Sequence, residues 1–323
     1  MANAAWLRHA VARGPRALEP SAERARHAAV ELSGARVVFQ PIVSVATGSL
    51  IAVEALTRFA PPTTAAPQDV FERAHHAGFG PELEALCVRS ALARRDALPP
   101  GTLVSVNLSP DGLRSLAFAP FWPADLTGVI IEMTEQDAQD PHELAVGLAA
   151  LRERGAAVAV DDVGSGYAGL LRVADLRPDY VKVDKRIVSG LRESAAHAVM
   201  ESLVTLSHRL GAAVIGEGVE DLSDLELLAE LDVDYAQGFA IGRPAWPPQP
   251  VSGDVVRACR AARQRVLNGP SGSGLAAART RDVYAVTAAL SDAGDRNDLQ
   301  AAIANAADEL GVDMIGVSII CTD

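Results

Sequence analysis

The stretch Val158–Leu170, VAVDDVGSGYAGL, decides how the rest of the chain is interpreted. A short apolar run of strand-forming residues ends in two adjacent carboxylates, Asp161 and Asp162, and a Gly-Ser-Gly turn follows. Two like charges at the end of a buried strand repel each other, and they are costly to bury unless a cation neutralises them. The stretch therefore predicts a divalent-metal site at the carboxyl end of a strand.

Strand and helix patterns alternate on both sides of this stretch. The runs RVVFQPIV (36–43) and LIAVEALTRF (50–59) flank a Thr-Gly turn and predict a hairpin. Helical patterns and apolar runs then alternate as far as the run at 234–244. Apolar strands separated by helices favour a parallel sheet covered by helices, and seven or eight such units in roughly 210 residues predict an α/β fold of the (β/α)₈, TIM-like barrel type. An open doubly wound sheet is the alternative that the pattern leaves.

Composition divides the chain into four parts. Residues 1–33 form an Arg- and Ala-rich leader, for which a helix from about residue 21 to residue 32 is predicted, and residues 34–246 hold the alternating pattern. A helix and a flexible Gly- and Ser-rich linker occupy 247–275. Residues 276–323 begin another pattern of two helices and a strand, and they are interpreted as the start of a truncated α/β domain.

Composition and charge exclude several classes of function. The chain has 323 residues and a formal net charge of −12, which argues against binding a nucleic-acid polymer through a broad basic surface. Its three cysteines are isolated, and this predicts a reducing, cytoplasmic setting. No apolar run approaches the roughly 20 residues needed to span a bilayer, so no membrane span is predicted. An amphipathic helix on a membrane surface is an alternative for the leader.

Polar side chains follow strand after strand of the predicted barrel. The carboxylates, amides and amine at these strand ends are Glu54, Asn107, Glu132, Glu135, Asp161, Asp162, Lys182, Glu217 and Gln237. In a parallel barrel the carboxyl ends of the strands meet on one face, where such folds place their sites. The candidate ligands are oxygen donors, which suit Mg²⁺ or Mn²⁺ rather than zinc. Each residue alone fits a solvated charge or a helix cap, but their recurrence at the ends of successive strands favours one common site. The histidines 75, 76, 142 and 208 lack ligand spacing and are predicted on helix surfaces.

These residues form motifs that resemble those of EAL domains, the bacterial cyclic di-GMP phosphodiesterases. The motifs are QPI (40–42), EALTR (54–58), NLS (107–109), EMTE (132–135), DDVGSGY (161–167), VKVD (181–184), EGVE (217–220), QG (237–238) and GRP (242–244). The resemblance covers about residues 34–246. It implies a TIM-like barrel with an antiparallel first strand, two Mg²⁺ or Mn²⁺ ions per active site, and hydrolysis of cyclic di-GMP to linear pGpG.

The resemblance also implies a role for each residue. The first metal ion would be held by Glu54, Asn107, Glu132 and Asp161, and Asp161 would bridge to a second ion that Asp162 also binds. Lys182 would orient or help deprotonate the attacking water, while Glu217 and Gln237 would complete the surroundings of the water and metals. Glu135 would hold the loop at 163–169, and the dinucleotide would contact Gln40, Leu56 and Arg58. A homodimer is a further expectation from the family.

The chain departs from the family in the loop that follows the aspartates. The family pattern reads DFGTGYSS, whereas this chain carries Val163 in place of the phenylalanine and Ser165 in place of the threonine. The missing aromatic side chain predicts looser packing and modest or regulated activity. A degenerate domain that binds cyclic di-GMP without cleaving it is the alternative function. Residues 278–323 weakly resemble the beginning of a GAF sensory domain.

Overall fold

The computed structural model describes residue 27 and residues 35–59, 66–115, 125–134, 141–164, 173 and 175–268. Five predictions lie outside the described residues: the leader apart from His27, the role of Glu135, the loop from Ser165 to residue 172, the linker after residue 268, and the GAF-like segment at 278–323. Among the described residues, no helix combines the length and the apolar composition that a membrane span requires.

Eight strands form a closed barrel in sequence order. They are β1 (Arg36–Ser44), β2 (Leu50–Arg58), β3 (Leu103–Asn107), β4 (Val129–Thr134), β5 (Ala157–Val163), β6 (Tyr180–Val183), β7 (Ala213–Gly216) and β8 (Tyr235–Gln237). Strand β1 runs antiparallel to both β2 and β8, and every other neighbouring pair is parallel. The predicted barrel with an antiparallel first strand is confirmed, and the open sheet is wrong because β1 and β8 close the ring.

Helices cover the outside of the barrel. They are α1 (Pro67–His76), α2 (Gly80–Leu92), α3 (Pro110–Arg114), α4 (Pro141–Arg152), α5 (Lys185–Ser189), α6 (Ser194–Arg209), α7 (Asp224–Glu230) and α8 (Gly253–Asn268), with a 3₁₀ turn at Arg95–Ala97. Apolar side chains on their inner faces pack against the outward-pointing valines and isoleucines of the strands in one large core. The last strand is shorter than the predicted run 234–244, because the chain bends into a loop directly after Gln237.

The inside of the barrel is filled in layers, because alternate residues of a strand point to the same side. Its lower layer includes Leu103, Ala157, Tyr180 and Tyr235, and its middle layer is Ile42, Ala52, Ile130, Ala159 and Ile215. The next inward positions along the strands carry Gln40, Glu54, Ser105, Glu132, Asp161, Lys182, Glu217 and Gln237. A polar layer therefore closes the carboxyl end of an otherwise apolar barrel.

Strand β5 contains an irregularity at the two aspartates. Its pairing with β6 shifts between Val160 and Val163, where β5 uses three steps while β6 advances by two, from Val181 to Val183. The extra residue is a β-bulge, and the backbone of Asp162 adopts a left-handed φ of 57°. In a regular strand, consecutive side chains point to opposite faces. The bulge lets both Asp161 and Asp162 turn toward the polar end of the barrel.

Two cysteines of the described residues, Cys87 and Cys259, are buried free thiols. Burial raises the pKa of each thiol to about 11, so neither is reactive at neutral pH.

Candidate active site

Lys182 lies at the centre of the polar layer and is 1% exposed. Its Nζ atom lies 2.8 Å from Glu217, 3.0 Å from Glu132, 3.1 Å from Asp161 and 3.7 Å from Glu54. Burial by itself lowers the pKa of Lys182, but the surrounding carboxylates outweigh it, and the pKa lies well above its ordinary value. Lys182 is therefore a fixed cation and does not snorkel to the surface. One ammonium group cannot balance four carboxylates, so the layer keeps an excess of negative charge.

Glu54 connects three strands through its two carboxylate oxygens. Asn107 donates from Nδ2 to Oε1 over 3.1 Å, and Gln237 donates from Nε2 to Oε2 over 2.7 Å. Glu54 is 8% exposed, so these donors replace the water that a buried carboxylate loses. The amide groups at the ends of β3 and β8 thereby fix the orientation of Glu54.

Glu132 is the most deeply buried carboxylate of the layer, at 1% exposed. It accepts a hydrogen bond from Ser105 Oγ over 2.6 Å, and Lys182 donates to its other oxygen over 3.0 Å. Burial raises the pKa of Glu132 well above its usual range, although Lys182 opposes the shift. A positive charge next to Glu132 would stabilise its ionised form.

A second group of carboxylates lies at the outer side of this cluster. Asp161, Asp162 and Glu217 each offer one oxygen, and these oxygens lie within 4.8 Å of one another. Burial raises the pKa of Glu217 to about 8, and burial, followed by the neighbouring Asp161, also raises the pKa of Asp162. Carboxylates gathered at this distance repel one another until a cation lies between them.

The donor set fits hard divalent cations. Every candidate side chain offers oxygen, which is the ligand atom that Mg²⁺ and Mn²⁺ prefer. Gln237 Oε1 is buried and lacks a hydrogen-bond partner among the described residues, while the other end of the same amide is held by Glu54. A buried acceptor without a donor is costly unless a water molecule or a cation satisfies it. The residues present therefore suit the metal ions that the sequence motifs predict.

The three predicted substrate contacts lie on the hairpin beside this cluster. Gln40 pairs with Glu54 in the β1–β2 register and donates from Nε2 to the carbonyl of Gly242 over 3.2 Å. Leu56 and Arg58 continue β2 beyond Glu54, and both are partly exposed. Burial lowers the pKa of Arg58, while the charge of Glu54 opposes this effect, so the guanidinium is within electrostatic reach of the cluster.

Close backbone contacts fix the loops at the carboxyl ends of β7 and β8. Val219 N donates to Gln237 O and Ala240 N donates to Val219 O, each over 3.0 Å. A Cβ atom at Gly238 would lie 2.2 Å from the backbone nitrogen and oxygen of Val219. Only glycine allows this approach, which holds the exit of β8 against the loop that carries Glu217.

The structure brings together eight of the predicted site residues: Glu54, Asn107, Glu132, Asp161, Asp162, Lys182, Glu217 and Gln237. Sequence reasoning did not single out Ser105, although its alternation with Asn107 in LVSVN places it on the same inward face. The surface prediction for the histidines is partly wrong. His75 and His208 are partly buried, and their Nε2 atoms lie 2.6 Å from Glu84 and 2.9 Å from Asp234.

Comparison with known proteins assigns the family. Residues 23–244 match the EAL domain, and this chain belongs to the EAL domain family. One curated relative, Probable cyclic di-GMP phosphodiesterase PdeN of Escherichia coli strain K12, is 28% identical over 222 residues, which cover 64% of this chain and 43% of the relative. Another, Probable cyclic di-GMP phosphodiesterase PdeB of the same organism, is 29% identical over 224 residues, covering 65% of this chain and 43% of the relative. The chain thus spans less than half the length of these relatives.

Solved structures share the fold. The PaMucR phosphodiesterase in complex with c-di-GMP superposes with a TM-score of 0.58 at 26% identity, covering 68% of this chain and 95% of that chain. The manganese and cy-diGMP complex of BlrP1 from Klebsiella pneumoniae has a TM-score of 0.57 at 28% identity, covering 65% of this chain and 56% of that one. Both similarities agree with the closed barrel described above.

Proposed function

We propose that this chain is a metal-dependent phosphodiesterase that hydrolyses cyclic di-GMP to linear pGpG in bacterial second-messenger signalling. The observation that carries the proposal is the intact polar layer, in which Lys182 touches carboxylates from four other strands or strand exits. The named activity of the E. coli relatives and the ligand of the PaMucR structure point to the same substrate.

We propose that the layer holds two ions, Mg²⁺ or Mn²⁺. Glu54, Asn107, Glu132 and Asp161 would hold the first, and Asp161 and Asp162 the second. Bound divalent ions neutralise the phosphodiester, lower the pKa of a water molecule and stabilise the leaving oxygen. The manganese in the BlrP1 structure and the acidic group of Asp161, Asp162 and Glu217 support this assignment.

The protein's own residues would position the reactants. Lys182 is a buried cation with four acidic neighbours, so its Nζ atom is suited to donate a hydrogen bond to the attacking water and to hold it in line. Glu217, 2.8 Å from that Nζ atom, would fix the lysine on the side of the second ion. Gln237 would direct its free Oε1 toward the same water or an ion.

Substrate binding is assigned to the β1–β2 hairpin. The guanidinium of Arg58 is a cationic group beside an acidic site, and it would attract an anionic dinucleotide. Gln40 and Leu56 would contact the dinucleotide on either side of Glu54. Glu135 would hold the loop after the aspartates. Val163, which is completely buried, replaces the family's aromatic residue and would leave that loop less tightly packed.

The remaining assignments are proposals about organisation. We assign residues 1–33 to a leader, 34–246 to the phosphodiesterase domain, 247–275 to a helix and linker, and 276–323 to a GAF-like segment. A cytoplasmic location and a homodimer complete the proposal, and the dimer rests on analogy with the family.

One assay tests the activity. Purified protein is incubated with cyclic di-GMP and either Mg²⁺, Mn²⁺ or EDTA, and the products are separated by liquid chromatography. We expect pGpG with a divalent ion and none with EDTA. The variant Glu54→Ala is the control, because it removes the carboxylate that Asn107 and Gln237 hold, and it should abolish turnover. Binding of cyclic di-GMP without product under both metals would contradict the enzyme and favour the non-catalytic receptor.

A further inference from the structure

We infer that Glu84 is a positioning residue that holds the exit of β3, and with it Asn107, in the geometry needed to bind the first metal ion. Glu84 lies on α2, a helix that carries none of the candidate ligands. The inference deepens the proposed function and rests on it, because it assigns a role in assembling the same site.

The carboxylate of Glu84 is buried, and both of its oxygens have hydrogen-bond partners. It is 7% exposed, and its Oε2 accepts hydrogen bonds from Ser109 N over 3.1 Å and from Ser109 Oγ over 2.9 Å. Its Oε1 lies 2.6 Å from His75 Nε2. Because an ionised carboxylate only accepts, the imidazole proton must lie on Nε2. One side chain thus connects α1, α2 and the segment that follows β3.

The direction of each hydrogen bond fixes the turn after β3. The Ser109 hydroxyl must donate to Glu84, so its lone pairs remain to accept from Gly112 N, which lies 3.0 Å away and caps α3. Both the backbone amide and the hydroxyl of Ser109 are therefore held by Glu84. Removing the carboxylate would leave these two donors without a partner in a poorly hydrated place.

Ser109 is only two residues from Asn107. On the inner side, Leu108 N donates to Glu132 O over 3.0 Å, and Asn107 pairs with Glu132 in the β3–β4 register. On the outer side, Glu84 holds Ser109. Asn107 is itself exposed, and its Nδ2 reaches Glu54 over 3.1 Å. Because the side chain of Asn107 is exposed and lies at the last residue of β3, it has rotamer freedom. The direction of its Oδ1 atom therefore depends on how firmly the backbone on both sides is held.

A second observation shows that the sequence leaves space for this network. His75 reaches Glu84 by passing over the backbone of Gly80, at the start of α2. A Cβ atom at Gly80 would lie 2.4 Å from His75 Nδ1 and 2.5 Å from its Cγ. Gly80 has an ordinary backbone conformation, so the space for the imidazole is its evident contribution. The three residues form one support for the β3 exit.

The test measures metal affinity separately from turnover. Glu84→Leu keeps the approximate size of the side chain but removes both acceptor oxygens, so Ser109 N, Ser109 Oγ and His75 Nε2 lose their shared partner. Partners of metal ligands typically contribute 10–100-fold to metal affinity, so we expect the Kd for the tighter Mn²⁺ ion to rise about tenfold. Mn²⁺ titration followed by electron paramagnetic resonance of the free ion measures this. Val88→Ala, on the same helix and in the apolar core, is the matched control. It should lower the melting temperature to a similar degree and leave the Kd unchanged.

The outcomes separate this inference from the proposed function. A Kd for Glu84→Leu within twofold of the wild type overturns the positioning role, and so does an equal rise in Val88→Ala, which would make the effect one of stability. If Glu84→Leu does not fold, Ser109→Ala replaces it, since it removes one of the two donors to Glu84 and should raise the Kd by a smaller factor, and an unchanged Kd overturns the role. A wild type that binds Mn²⁺ without forming pGpG refutes the proposed function alone, whereas a wild type that binds no Mn²⁺ refutes both.

Discussion

Replacing Lys182 by methionine removes the ammonium group that contacts four carboxylates of the polar layer while keeping the length of the side chain. In the metal-free protein the layer then holds its carboxylates with no counter-charge. The carboxylates take up protons in part, since burial already raises the pKa values of Glu132 and Glu217. We expect a strong loss of stability in EDTA that Mn²⁺ partly restores, because the metal ions supply the missing positive charge.

The size of the expected loss of stability follows from the burial of the ion pairs that Lys182 makes. Breaking a buried ion pair by removing one partner typically costs about 3–5 kcal/mol. Each kcal/mol corresponds to roughly 2–4 °C in melting temperature for a domain of this size. At a rate of ~3 °C per kcal/mol the Lys182→Met protein should melt about 10 °C below the wild type in EDTA. Cleavage of cyclic di-GMP should fall by about 10²-fold or more, because the attacking water loses the group that positions it.

Thermal unfolding followed by circular dichroism, with EDTA and with Mn²⁺, measures the first effect, and liquid chromatography of pGpG measures the second. The double variant Lys182→Met with Glu217→Gln is a matched control. It removes the nearest carboxylate together with the ammonium group, and it should recover part of the stability but none of the activity. A melting temperature within 2 °C of the wild type in EDTA would refute the charge argument, and wild-type cleavage would refute the catalytic role.

Three further variants test separate parts of the site. Asp162→Asn should melt within about 2 °C of the wild type, because asparagine tolerates a left-handed φ, yet bind one Mn²⁺ ion instead of two; two ions by titration would contradict the assignment. Ser105→Ala leaves one oxygen of Glu132 without its donor, so chemical denaturation should show a loss of about 1–3 kcal/mol, and an unchanged midpoint would mean that this hydrogen bond contributes little. Gly238→Ala places a Cβ atom against the backbone of Val219 and should reduce the yield of folded protein, which gel filtration would reveal; normal folding would show that the loop can move.

The sequence alone predicted the fold and most of the site for one physical reason. On each of the strands β2 to β8, the polar layer begins two positions after an apolar or aromatic residue that fills the barrel, as Glu54 follows Ala52 and Glu132 follows Ile130. Alternation of this kind can be recognised in the amino-acid sequence alone. Since a parallel barrel brings strand ends to one face, the pattern locates the site without coordinates.

Other features depend on contacts that no local pattern encodes. A lysine inside an apolar run usually extends to the surface, and only closure of the barrel surrounds Lys182 with carboxylates from distant strands. Ser105 has the alternation of an inward residue, but serine is common in strands and carries no charge to mark it. The pairing of Glu84 with Ser109 joins a helix to a loop 25 residues away, so it became apparent only when the two elements were packed together.

The β-bulge at Asp161 and Asp162 separates the integrity of the fold from the chemistry of the site. A single in-frame deletion of Asp162 would restore regular pairing of β5 with β6, since Val163 would then follow its neighbours without the extra step. Such a chain would keep its barrel, its apolar layers and Asp161, but it would lack the second ion. The loss of one codon would thus remove the proposed second metal site while leaving the barrel that carries it intact.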